Sequence, residues 1–127
     1  MKYIASIILL AITFLSIGCE NSLNSVQDII FPSKDVSYIS QVDPFLRYTC
    51  GYSGCHGYSA AGGIVLTDYF ELFKTAGLII PGKPDQSLLN QIIENKIPHT
   101  TYFERSQITN NHIQGMRMWV AEGAKNN

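Results

Sequence analysis

No basic run and no basic stripe interleaved with aromatics occurs in the sequence, where nine Lys and Arg stand against ten Asp and Glu for a formal charge of −1. Binding to a phosphate backbone needs a concentrated positive surface, so nucleic acid is excluded as a partner. Internal repeats are absent, no stretch alternates well enough to make a strand, and no side-chain set stands out as a catalytic acid or base. Cysteine is scarce and odd in number, at three, so a plain disulfide framework leaves one thiol over. A chain of 127 residues has room for one small domain and not for two packed ones. Hydrophobic residues make up 46%, but Tyr3 to Ile17 is almost wholly apolar and inflates that figure. The rest of the chain therefore needs another source of core.

Lys2 followed by the apolar run Ile4 to Ile17 reads as an export signal, too short and too abruptly ended for a membrane span. The run closes as Leu15-Ser16-Ile17-Gly18-Cys19, which resembles the lipobox of bacterial lipoproteins, with Ser16 where that pattern more usually has Leu, Val or Ile. The resemblance implies cleavage before Cys19, loss of residues 1–18 and acylation of Cys19, which carries enough methylenes for stable membrane attachment. The alternative is an ordinary secretory signal with Cys19 as a spare thiol. Glu20 is not the Asp associated with inner-membrane retention, which favours the outer membrane, with the folded part facing periplasm or exterior. Residues 19–35 mix Asn, Ser and Asp with a Phe31-Pro32 pair and hold no sustained period, so they read as the lipidated N-terminus and a tether. The working domain is expected at 36–127.

Helical patterning begins with Ser40 as cap and Asp43 three places on, Val42, Phe45 and Leu46 sharing a face to about Tyr48. Half of the ten glycines then lie between Gly51 and Gly63, which predicts a tight irregular loop. Thr67 and Asp68 open a short helix through Tyr69, Leu72 and Phe73 that Gly77 ends. Pro84 or Asp85 leads into another, with Leu88, Leu89, Ile92 and Ile93 on one face. The last starts near Thr109, presents Ile113, Met116 and Val120, and stops at Gly123. Short helices joined by long loops make a thin core, which a bound cofactor would complete.

The loop contains Cys50, then four residues, then Cys55-His56-Gly57. Two thiols followed directly by an imidazole are the order that covalent haem attachment needs, the sulfurs joining the vinyl groups while the next His ligates iron from the proximal side. Two residues is the usual spacing between the cysteines, and Gly51 and Gly54 let the additional pair loop out. From Val36 to Asn127 the sequence resembles the c-type cytochrome domains of bacterial lipoproteins, many of which carry this four-residue spacing. The match rests on Asp43-Pro44-Phe45-Leu46 before Cys50, on Cys55-His56-Gly57, on Ala61-Gly62-Gly63-Ile64 with Leu66, on Pro81-Gly82-Lys83-Pro84-Asp85 with Ser87-Leu88-Leu89, and on Ile113, Met116, Trp119-Val120 and Gly123-Ala124. It implies an all-α, small cytochrome c-like fold of about four short helices and long loops around one haem. It further implies Cys50 and Cys55 as covalent haem attachments, His56 as proximal iron ligand, and single-electron exchange with redox partner proteins.

One position departs from the family, whose distal ligand is commonly a Met immediately before Pro in the loop preceding the last helix. Here Lys96-Ile97-Pro98-His99 puts Ile97 there, and Ile cannot ligate iron. His99 is the preferred distal ligand, against a plain exposed loop His. Met116 reads as core, and Met118 and His112 read as surface positions off the apolar stripe. An open distal site would instead suit a haem enzyme or small-ligand sensor. Two further readings of Cys50 and Cys55 remain at this stage: a disulfide in a haem-free lipoprotein domain, and a zinc site, which needs about four ligands where this loop supplies three.

Overall fold

The computed structural model describes residues 23–100 and 107–127. The Ser37 hydroxyl accepts a hydrogen bond from Ser40 N at 3.2 Å and opens a wide π-type turn, Tyr38–Val42, which runs straight into helix α1, Asp43–Thr49. The cap thus lies three residues before the expected Ser40, because the additional wide turn is wound ahead of the α-helix. Pro44 sits in the first turn, where its missing N–H costs nothing. One face of α1 buries Phe45, Leu46 and Thr49, while Arg47 on the outside meets Asp43 one turn back at 2.7 Å.

The helix expected after Thr67 is only a single 3-10 turn, Glu71–Phe73, although Asp68 does cap it by accepting from Phe70 N and Glu71 N. Another 3-10 turn, Pro84–Gln86, precedes helix α2, Leu88–Ile93. Between them Ser87 is fully buried, its hydroxyl accepting from Ile80 N and donating to Lys83 O. Helix α3, Asn110–Ala121, starts at the expected Thr109 cap and ends before Gly123, whose φ of +100° suits glycine. Met116, Trp119 and Val120 of α3 are buried with Phe45 and Leu46 of α1 in one core. Among the described residues there are helices and turns and no strand, so the class is all-α.

The first correction concerns the stretch read as a tether. Val26, Ile29 and Phe31 are 2%, 2% and 3% exposed and belong to the core, so packing begins well before Val36. Asp28 closes a 3-10 turn, Val26–Asp28, by accepting from Asn24 N and Ser25 N. Phe31 stands edge-on to Phe45 at 5.7 Å and abuts Gly115 of α3, where an added Cβ would sit 2.0 Å from its Cγ. Asn111 holds the Phe31 peptide on both sides, accepting from its N–H and donating to its carbonyl, each at 2.9 Å.

His112 is the second correction, since it is 1% exposed rather than at the surface. Its Nδ1 accepts from Thr109 N and its Nε2–H donates to Ile29 O, both at 3.0 Å. The imidazole therefore closes the capping box of α3 and clamps the N-terminal strap at once. Tyr48 adds a third tie, its hydroxyl donating to Leu23 O at 2.6 Å.

Candidate functional site

Helix α1 ends as Cys50 N and Gly51 N both donate to Leu46 O at 2.8 Å. The chain then folds on the Tyr52 carbonyl, which accepts from Cys55 N at 2.9 Å and Gly57 N at 3.0 Å, while His56 N donates to Cys50 O at 3.1 Å. This absorbs the four residues between the cysteines and returns Cys55 to the rim that Cys50 occupies. Cys50 and Cys55 are not bridged to each other. The Thr49 hydroxyl donates to Phe45 O and lies 3.3 Å from Cys50 Sγ.

His56 is held from three sides. Its carbonyl accepts from Leu66 N at 2.8 Å, and its Nδ1 lies 3.0 Å from Ile64 O. A carbonyl can only accept, so Nδ1 carries the hydrogen and Nε2 is left with its lone pair, the arrangement of a metal-ligating imidazole with a backbone partner behind it. Gly62 backs the ring. A Cβ there would fall 2.7 Å from Cε1 and 2.9 Å from Nδ1, so only glycine leaves the imidazole in this position.

A cavity of about 330 Å³ adjoins the imidazole, lined by Cys50, Cys55 and His56 together with Leu88, Leu89 and Ile92 of α2. His99 lines the same cavity, and its ring centroid stands 5.8 Å from that of His56, with the ring planes inclined at 40°. Ile97, His112, Met116 and Met118 do not line it. Met116 is core, as its stripe suggested, and Met118 is half-buried against the core. The four residues Cys50, Cys55, His56 and His99 are thus brought together, and the other distal candidates are not.

Beneath the His99 loop lies an ion network. Arg117 of α3 meets Glu94 at 2.7 Å and Asp85 at 2.9 Å, and Lys96 meets Glu94 at 2.5 Å. Burial alone would raise the Glu94 pKa, but the hydrogen bonds from Lys96 and Arg117 prevail and hold its carboxyl below the ordinary value. Among the described residues no three His, Cys, Asp or Glu side chains gather around one point as a metal-ion cluster. No described helix is long and apolar enough to cross a membrane. Cys19 and the segment expected to be an export signal lie outside the described residues.

Two contributors were not singled out from sequence: the Ile64 carbonyl, which any residue type would supply, and the Thr49 hydroxyl. The closeness of Gly62 to His56 had a weak signal in the Gly62-Gly63 pair. Compared with known proteins, the chain matches no family model, no curated protein and no solved structure.

Proposed function

We propose that this chain is a lipid-anchored mono-haem c-type cytochrome that carries single electrons between redox partners in the cell envelope, on a cytochrome c-like arrangement of its helices. The observation that carries the reading is His56, with Nδ1 tied to Ile64 O, so that Nε2 carries the lone pair, and two thiols beside it on the lining of a largely apolar cavity. The donor set fits the group. Two thiols and two imidazoles line the one cavity, with the His56 and His99 ring centroids 5.8 Å apart, near enough for both to serve one bound group.

Haem, when bound, supplies a one-electron iron couple in this site. Cys50 and Cys55 would hold it through thioethers, and His56 and His99 would ligate its iron. The Ile64 carbonyl fixes the His56 ring and raises its basicity, while Leu88, Leu89 and Ile92 keep water from the interior. Two nitrogen donors favour the oxidised iron more than a nitrogen and a thioether would, so the potential lies below that of relatives with a Met ligand. Acylated Cys19 attaches the protein to the envelope, with the outer membrane favoured.

The deciding experiment is mass spectrometry of the denatured protein, made in a host with working cytochrome maturation, together with a pyridine haemochrome spectrum. The haem mass stays with the chain in acidified solvent. A chain that sheds all of it, or never carries it, overturns the reading in favour of a haem-free lipoprotein domain.

A further inference from the structure

The strap changes what an acyl anchor at Cys19 does to the domain. Were the chain loose from Cys19 to Val36, it would reach about 60 Å at full extension, and the domain would tumble freely above the bilayer. Leu23, however, is already fixed, because Tyr48 Oη donates to its carbonyl and the strap behind it is clamped by Asn111 and His112. Four residue steps from Cys19 to Leu23 span at most about 14 Å. The surface around Leu23 is therefore the part of the domain nearest the lipid.

That surface has the chemistry of a membrane contact. Leu23 is 37% exposed, Tyr52 49% and Tyr58 76%. Tyr52 Oη donates to Tyr48 O at 2.9 Å, so the rings of Tyr48 and Tyr52 follow Leu23 in series, and Arg47 lies 6.0 Å over the Tyr58 ring. Tyrosine, with an apolar body and a polar tip, suits the boundary between headgroups and acyl chains. From Pro44 to Thr67 the sequence holds no Asp or Glu and one Arg, so nothing acidic on this segment opposes anionic headgroups.

Resting on the lipoprotein reading of Cys19, we propose that the face formed by Leu23, Tyr48, Tyr52 and Tyr58 lies against the lipid bilayer. Tyr52 also lines the cavity that holds His56, so the proposed membrane face includes one edge of the site.

Amide hydrogen exchange of the mature lipidated protein on vesicles of phosphatidylethanolamine and phosphatidylglycerol, compared with an unlipidated Cys19→Ser form secreted through an ordinary leader, tests this. The Tyr48–Tyr58 segment exchanges several-fold more slowly on vesicles. A long Gly-Ser insertion between Asn21 and Ser22 abolishes the protection while the protein still floats with the vesicles, and Tyr52→Asp reduces it without altering the fold. Equal exchange on and off vesicles, in a protein that floats, overturns the proposal and leaves the lipoprotein reading standing. A protein that does not float overturns both.

Discussion

Gly115→Ala is a one-methyl change on helix α3 that ought to stabilise a helix, by about 1 kcal/mol on propensity alone. Here it does the reverse. The new Cβ would fall 2.0 Å from Phe31 Cγ and 2.2 Å from Phe31 Cβ, distances that neither a rotamer change of the methyl nor a small shift of the ring can relieve. Phe31 must leave its site, and with it go its contact on Phe45 and the pair of Asn111 hydrogen bonds. Loss of a buried Phe costs about 3–5 kcal/mol, so the net cost after the helix gain is about 2–4 kcal/mol. In a domain of this size that lowers the melting midpoint by on the order of 10–20 °C. Circular dichroism melts and guanidinium titrations of the protein as purified measure it, with Phe31→Gly, which also removes the Cβ, and the double variant completing a cycle. The double variant matches or slightly exceeds Phe31→Gly in stability, because none of the Phe31 atoms that the methyl would meet, Cβ included, then remains. Parental stability in Gly115→Ala, or additive losses in the double variant, would refute the docking of residues 24–31.

Stability falls as the pH drops below about 6.5, because burial, outweighing the pull of the Ile29 carbonyl, keeps the His112 pKa under that ordinary value. The unfolded chain then takes the proton first, so the contribution is complete above the unfolded pKa and is lost in going down. His112→Gln flattens the slope of unfolding free energy between pH 7 and 5, a window above the ordinary carboxylate value of 4.5 that Glu94 would add. His99→Ala opens the iron to carbon monoxide and changes the ferric spectrum, whereas an unaltered spectrum reduces His99 to a surface residue. Gly62→Ala pushes the His56 ring off Ile64 O, and is seen as a changed ferric spectrum with both thioethers still intact by mass.

Helix α3 and the cysteine loop were legible because their signals are local: a Thr cap, a regular stripe and a glycine stop in one, two thiols and an imidazole in order in the other. The strap was not legible. Val26, Ile29 and Phe31 hold no sustained period, since each is buried by the folded core and not by an element of its own, and only the finished fold defines that core. His112 was misjudged for a related reason. Its place off the apolar stripe suggests solvent, but its two nitrogens are satisfied by the Thr109 N–H and by a carbonyl 83 residues away, which no helical wheel contains. Likewise Ser37 and Ser40 are equally good caps by residue type, and the choice between them is made by the wide turn that the Asn127 carbonyl supports by accepting from Ile39 N.

The ion network under the His99 loop links the geometry of the site to the solution around it. Lys96 stands three residues before His99 and shares Glu94 and Asp85 with Arg117; its pair with Asp85 joins two exposed side chains, whereas Glu94 is only 10% exposed. The Lys96–Asp85 pair weakens as salt screens it, while the pairs on Glu94 and the Ile64 carbonyl behind His56 are far less sensitive to salt. The two imidazoles across the cavity thus sit on differently supported chain: the Ile64 carbonyl holds the His56 ring itself, and the chain leading to His99 carries a salt-sensitive tie at Lys96. Ionic strength reaches the site from the His99 side, through an exposed pair and not through the backbone that aims His56.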